Sequence, residues 1–207
     1  MDIDHLVDDA MLSTLSDCKA RISTPEHAIS DVIDADGNQY VDLVMEGGGM
    51  LGIALVGYTW ALEMMGIRFL GVGGTSAGSI NALLLAALDE PSRPKSPRLL
   101  TELANKNFYD FVDGGNDVRD LVELALGADR SFKKLRLFFK LIKVKKQLCT
   151  SYGLNKGGAF LSWLTGLLES SGISTLEDLN TRMAITPPGL RRRDGWSSEV
   201  DWKKRLE

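Results

Sequence analysis

Two glycine-rich turns, each joining a short apolar strand to a helix, constrain this chain more than any other feature. In the second of them, Arg68 to Val72 is apolar and ends near glycine, which suits a buried strand. Ser76 to Leu88 is a run of good helix formers, apolar all round, which suits a buried helix. Between them lies Gly74-Thr75-Ser76-Ala77-Gly78, a Gly-x-Ser-x-Gly sequence. A turn from strand straight into helix forces its central residue into a cramped backbone geometry. Gly74 and Gly78 on either side let strand and helix pass without side-chain clashes. Ser76 then stands at a helix N-terminus, where free N–H groups and the helix dipole favour developing negative charge. Taken alone, the turn leaves two readings open: Ser76 is a nucleophile, or it is only the N-cap of its helix.

The first turn lies upstream. Tyr40 to Met45 is a strand candidate that runs into Glu46-Gly47-Gly48-Gly49-Met50-Leu51-Gly52. Ile53 to Met65 then reads as a helix stopped by Gly66. The order is strand, glycine loop, helix, strand, serine turn, helix. Parallel strands in such a unit pair through a right-handed crossover, so both turns open at the same edge of the sheet, where open α/β sheets bind ligands.

Gly47 to Gly52 fits G-x-G-x-x-G, and three chemistries compete for it. A dinucleotide site needs an acidic residue at the end of the second strand, and the segment from Gly71 to Ser76 has none. A phosphate-binding P-loop needs a lysine after its last glycine, and Ile53 follows Gly52. The third is an oxyanion hole: successive glycines expose backbone N–H groups that converge beside a nucleophilic serine. Apart from a plain tight turn, only this reading explains why both motifs occur in one unit.

A serine needs a base. The α/β-hydrolase order places a histidine after the serine, and no histidine follows His27. The chymotrypsin order belongs to a β-barrel, which the helical pattern contradicts. A serine activated by a carboxylate survives.

These residues resemble the patatin-like phospholipase family. The resemblance rests on a strand, Gly47 to Gly52, a helix, then Gly74 to Gly78 with a long apolar helix behind it, and is strongest over residues 41–88. It implies a three-layer α/β/α sheet with a nucleophile elbow, and hydrolysis of lipid acyl esters by a Ser–Asp dyad without metal or cofactor. By position it makes Ser76 the nucleophile and the amides of Gly47, Gly48 and Gly49 the oxyanion hole, with Gly74 and Gly78 framing the elbow. Leu51 stands where the family often has Arg or Lys, and Glu46 where Asp or a small residue is common. The family's aspartate lies in an Asp-Gly-Gly or Asp-Gly-Ala motif far downstream. The matching triplet here, Asp113-Gly114-Gly115, begins only 37 residues after Ser76. Asp113 is therefore either the base or part of a helix–helix turn.

Composition bounds the rest. A chain of 207 residues with 44% hydrophobic and 25% charged residues has the balance of a soluble globular protein. Cys18 and Cys149 show no disulfide framework or metal-ligand spacing, which fits a reducing, cytoplasmic location. The acidic start shows no secretory signal, and no apolar run reaches membrane-span length.

Three regions are expected. Residues 1–39 read as a polar leader with a weak helical pattern over Met11 to Ile22, a break at Pro25, solvated His5 and His27, and a turn at Asp34 to Asn38. Residues 40–186 form the α/β domain, expected to be incomplete at its C-terminus because no further strand is evident after the serine turn. Residues 187–207 read as a polar tail or inserted loop. Within the domain, Asp89 to Pro97 with its three prolines reads as an exposed link. Helices are expected over Arg98 to Val112, Asp117 to Leu126, Ser131 to Leu148 and Ala159 to Ser170. Trp163 on the last reads as core. Ser174 and Glu177 fit a capping box.

Arg130 to Lys146 carries eight of the chain's 24 Lys and Arg and no acid. Helical spacing gives residues 130–148 two apolar arcs with lysines between them. Such a helix suits peripheral contact with a membrane surface, or a solvated basic stripe. Nucleic acid is not expected, because the aromatics sit on the apolar arc rather than among the lysines. The functional expectation is a serine lipid acyl hydrolase acting on lipid or phospholipid. Its rival is a truncated, non-catalytic lipid- or partner-binding remnant of the same family.

Overall fold

The structure is a computed structural model and describes residues 7–48, 52–111 and 156–193. The chain divides into two compact units, residues 1–106 with 167–207, and residues 107–166. Asp113 and the basic segment 130–148 lie outside the described residues, as does Gly49 of the glycine loop.

The larger unit carries a four-stranded sheet of order β3-β2-β1-β4. Strand β1 is Val32–Ile33, β2 is Gln39–Met45, β3 is Ile67–Gly74 and β4 is Arg191–Arg192. β2 and β3 are parallel, with the register shifting between Val41 and Asp42. β1 is antiparallel to both β2 and β4. Helices α1 (Asp9–Ile22), α2 (Gly52–Met64), α3 (Ala77–Ala87), α4 (Ser96–Ala104), α5 (Gly158–Ser170) and α6 (Leu176–Met183) complete the described elements, with short 3-10 turns at Pro25–His27 and Phe108–Phe111. This mixed sheet with helices packed on it is the α/β arrangement that the resemblance implied.

The hydrophobic content of α2 and α3 decides the packing. Between Ile53 and Met65 only Thr59 and Glu63 are polar. The helix buries Val56, Thr59, Trp60 and Glu63 along one stripe. Within α3 the buried set runs nearly round the helix, from Gly78 to Ala87, as an apolar run requires. Val56, Ile67, Leu84, Leu85 and Leu99 are essentially sealed from water and mark the core. Gly66, at φ +82°, turns α2 directly into β3, the left-handed stop that glycine adopts without strain.

Polar groups close the helix ends. The buried Glu63 carboxylate accepts the backbone N–H groups of Lys95 and Ser96, at 2.9–3.0 Å, and the Ser96 hydroxyl. It serves as the N-cap that Lys95 itself does not supply for α4. Arg68 donates to the carbonyls of Glu63 and Ile67, both at 2.9 Å, and of Ser92 at 3.1 Å. At the C-terminus of α3, Arg182 donates to the Ala87 carbonyl at 2.5 Å and Arg98 to that of Leu88 at 3.3 Å. Cations there complement the helix dipole.

Several expectations change. The segment Asp89 to Pro97 is not simply an exposed link: Pro91, Lys95 and Ser96 are buried, because Glu63 draws the backbone inward. α4 starts at Ser96 and ends at Ala104, short of Val112, and a separate 3-10 turn follows. The capping box sits one residue later than Ser174 and Glu177: Thr175 is the cap and Asp178 its partner. The backbone N–H of Asp178 reaches the Thr175 hydroxyl at 3.1 Å, and the Asp178 carboxylate accepts both Thr175 and Ser174 N–H.

Strands also form where none was evident. β1 lies in the polar leader and β4 in the polar tail, and the Arg193 N–H reaches the Asp31 carbonyl at 2.8 Å beside them. Two-residue strands have no alternation to read. The turn at Asp34 to Asn38 joins β1 to β2 as expected. The buried Asp34 carboxylate accepts the N–H groups of Asp36 and Asn38, the Asn38 amide and the Tyr40 hydroxyl. Burial pushes this carboxyl up, but the bonds from Asn38, Tyr40 and the turn backbone outweigh it and hold it below the usual carboxylate range. The same burial and partnership push the Tyr40 phenol well up.

The smaller unit's described part holds an aromatic cluster. Phe111 meets Phe160 edge-on at 5.3 Å between ring centroids and lies 5.3 Å from Trp163. Trp163 is half-buried and packs against these rings, rather than lying in the core as its helical stripe suggested. Among the described residues no helix is long and apolar enough to cross a membrane.

Candidate active site

The end of β3 passes into α3 through Thr75 and Ser76 alone. Ser76 sits at φ +53°, ψ −124°, and is the one non-glycine residue with positive φ among those described. A side chain in that region carries roughly 1–3 kcal/mol of strain and persists only where its surroundings over-determine it. Its surroundings do so here. A Cβ on Gly74 would run into the backbone of Gly78, and a Cβ on Gly78 would run into the carbonyls of Met45 and Glu46. Both positions must be glycine for β3, α3 and the end of β2 to approach this closely.

Ser76 occupies the N-cap position of α3, yet its side chain caps none of the helix N–H groups. The bland reading of Ser76 as an ordinary N-cap has no hydrogen bond to support it. The turn is held by backbone bonds instead: Gly78 N–H to the Thr75 carbonyl at 2.9 Å and Ser79 N–H to the Ser76 carbonyl at 3.0 Å. The serine is exposed.

The glycine loop lies beside it, as the shared sheet edge required. A Cβ on Gly47 would stand 2.6 Å from the Ser76 Cβ, 3.2 Å from the Thr75 carbonyl oxygen and 3.3 Å from the Ser76 hydroxyl. At the other end of the loop, a Cβ on Gly52 would stand 2.8 Å from the Cβ of Ala77. Gly47 and Gly52 thus both lie against the elbow, with no room for a side chain at either. Gly47 and Gly48 are exposed at the same edge as Ser76. The structure therefore brings together Ser76, Gly47, Gly74 and Gly78, with Gly48 next in the chain. Asp113, the candidate base, lies outside the described residues.

Two hydrogen bonds hold the end of β2 and the start of α2, on either side of the loop. The Thr75 N–H reaches the Met45 carbonyl at 3.1 Å, and the buried Asn81 amide reaches the Gly52 carbonyl at 3.0 Å. Asn81 belongs to no motif. Its only signal in the sequence is that it is the one polar residue in the apolar run from Ile80 to Leu88.

A strained serine between two obligatory glycines, with a glycine loop pressed against it, is a family signature when the sequence matches as well. The model of the family described as patatin-like phospholipase matches residues 43–203, most of the chain. The chain belongs to the patatin-like phospholipase family. That places it in a family of lipid acyl hydrolases, with lipids as the substrate class the family implies. A relative from Bacillus subtilis (strain 168), described as uncharacterized protein YqhO, is 34% identical over 140 residues. The match takes in 68% of this chain and 40% of that relative, so the chain spans well under half of the relative's length. No solved structure matches the chain.

Proposed function

We propose that this patatin-like chain is a serine esterase acting on the acyl esters of lipids. The observation that carries the reading is the backbone of Ser76, strained at φ +53° and free of any capping role, with Gly47 packed against it. In this reading the Ser76 Oγ attacks the ester carbonyl carbon while its proton passes to an aspartate base. The carbonyl oxygen becomes an oxyanion held by the backbone N–H groups of Gly47, Gly48 and Gly49. Collapse of the intermediate breaks the bond to the alcohol, which leaves with the proton from the base. Water then attacks the acyl-serine by the same route and releases the fatty acid. Asp113 is the candidate base by its place in an Asp-Gly-Gly triplet. The basic, two-sided pattern of residues 130–148 suits a contact with an anionic lipid surface.

The test is hydrolysis of a short-chain nitrophenyl ester by wild type, Ser76→Ala and Asp113→Ala, each shown to be folded. Loss of at least a thousandfold in Ser76→Ala supports the nucleophile. Loss in folded Asp113→Ala supports the base, and an unchanged rate there moves the base elsewhere. A folded wild type without activity favours the non-catalytic remnant.

A further inference from the structure

We propose that the apolar rim beside the serine elbow, formed by Val44 near the end of β2 and by Ile53 and Tyr58 on α2, is the surface with which this chain sits on zwitterionic lipid; the inference builds on the esterase reading above. Three large apolar side chains stand in water there: Val44 is 82% exposed, Ile53 46% and Tyr58 58%. They are not scattered. Val44 lies three residues before Gly47, and Gly47 packs on Ser76. Ile53 directly follows Gly52, and Gly52 packs on Ala77. The exposed side chains therefore flank the two contacts that bring β2 and α2 against the elbow.

The chemistry of this edge says what covers it. Ile53, Ala54, Gly57 and Tyr58 make one exposed face of α2, because residues four apart on a helix are neighbours. In residues 43–48, 52–62 and 69–80 the only charged side chain is Glu46, exposed at the end of β2. An edge so poor in charge gains by leaving water. The family's substrates are lipids, and a lipid surface is the apolar medium that such an enzyme meets.

The dimensions agree. Tyr58 follows Ile53 by five residues, about 7.5 Å of helix, within the roughly 5–10 Å that an interfacial apolar face penetrates. With the elbow edge against the lipid, Ile53 enters the acyl region and Tyr58 lies at the headgroups, where a ring with a polar tip is at home. Glu46 adds a headgroup preference at this edge, since its carboxylate suits the ammonium of a zwitterionic lipid. Seated this way, Ser76 meets an ester that has not left its aggregate. Loss of the rim lowers attack on lipid in a vesicle and leaves attack on a dissolved ester unchanged.

The test is co-sedimentation of the full chain with phosphatidylcholine vesicles, for wild type, Ile53→Asp and Val44→Thr. Asp suits the first turn of α2 and Thr suits a strand, so both variants keep the fold, which thermal unfolding checks. Wild type should bind, and salt at about 0.5 M should not release it. Ile53→Asp should bind about tenfold more weakly and Val44→Thr about threefold. Hydrolysis of the vesicle lipid should fall in step, while the rate on a dissolved nitrophenyl ester stays within about twofold. Failure of the wild type to bind, binding that needs anionic lipid and is lost in salt, or undiminished binding by folded Ile53→Asp each overturns the proposal. So does a wild-type dimer in solution that Ile53→Asp converts to monomer, because a second copy then covers the rim. A wild type that binds the vesicles through Ile53 but hydrolyses no ester overturns the esterase reading and leaves the lipid surface standing.

Discussion

Gly47 lies so close to Ser76 that a methyl group on the glycine would meet the serine Cβ at 2.6 Å and its hydroxyl oxygen at 3.3 Å. Two residues 29 positions apart in sequence thus share one site. No side chain can be added at Gly47 without moving Ser76 or the loop.

The first prediction concerns that contact. Gly47→Ala forces the loop or the serine aside, because the opposing atoms include backbone as well as side chain. Hydrolysis of a nitrophenyl ester should fall about 100-fold or more. Urea unfolding should shift less than for Gly78→Ala below, since Gly47 itself is exposed. Unchanged turnover would mean that the loop amides take no part in the reaction.

Gly78 should behave differently. It is buried where α3 crosses the end of β2, and a Cβ there would overlap two main-chain carbonyls. Gly78→Ala should cost about 1–3 kcal/mol in folding stability, read as a lowered urea midpoint at unchanged slope. The contrast separates the two glycines: Gly47 is needed for the site and Gly78 for the fold.

Lys95 sets a pH dependence. Burial, only partly offset by Glu63, pulls its ammonium down to about 8 from an ordinary 10.5. The folded protein therefore releases this proton before the unfolded chain does. Below pH 8 both states hold the proton and the full cost of burying the charge is felt. Between pH 8 and 10.5 the unfolded state binds more protons, so this group makes stability rise with pH. Lys95→Met keeps the backbone N–H that Glu63 needs. It should raise stability at pH 7 by about 1–3 kcal/mol, with the advantage shrinking above pH 8. Equal stability of the two proteins across that range would show that the lysine is solvated.

Much of the site was legible in the sequence, for physical reasons. The unit from Gln39 to Ala87 announces itself because each strand is followed by a glycine-rich turn that leads into a helix, and glycine at such a junction has a steric cause. Gly66 was equally readable as a helix stop, and it adopts positive φ. Contacts between distant residues were not legible. Nothing local tells that Glu63 will cap a helix 33 residues later, although a lone carboxylate on an otherwise apolar helix hints at a buried partner. Asn81 in its apolar run gives the same hint. β1 and β4 are too short to carry a period, and their pairing depends on residues about 160 positions apart. The cap at Thr175 was missed by one residue because Ser174 and Thr175 each have an acid three positions on.

The central claim is that Ser76 is a nucleophile held beside an oxyanion-stabilising loop. A fluorophosphonate ester tests it most directly, since its phosphorus is attacked by an activated serine and its oxygen then occupies the oxyanion hole. Intact-mass and peptide analysis of the treated full chain should show one adduct, on Ser76, absent from folded Ser76→Ala. No adduct on folded wild type, or an adduct on another serine that persists in Ser76→Ala, would contradict the account.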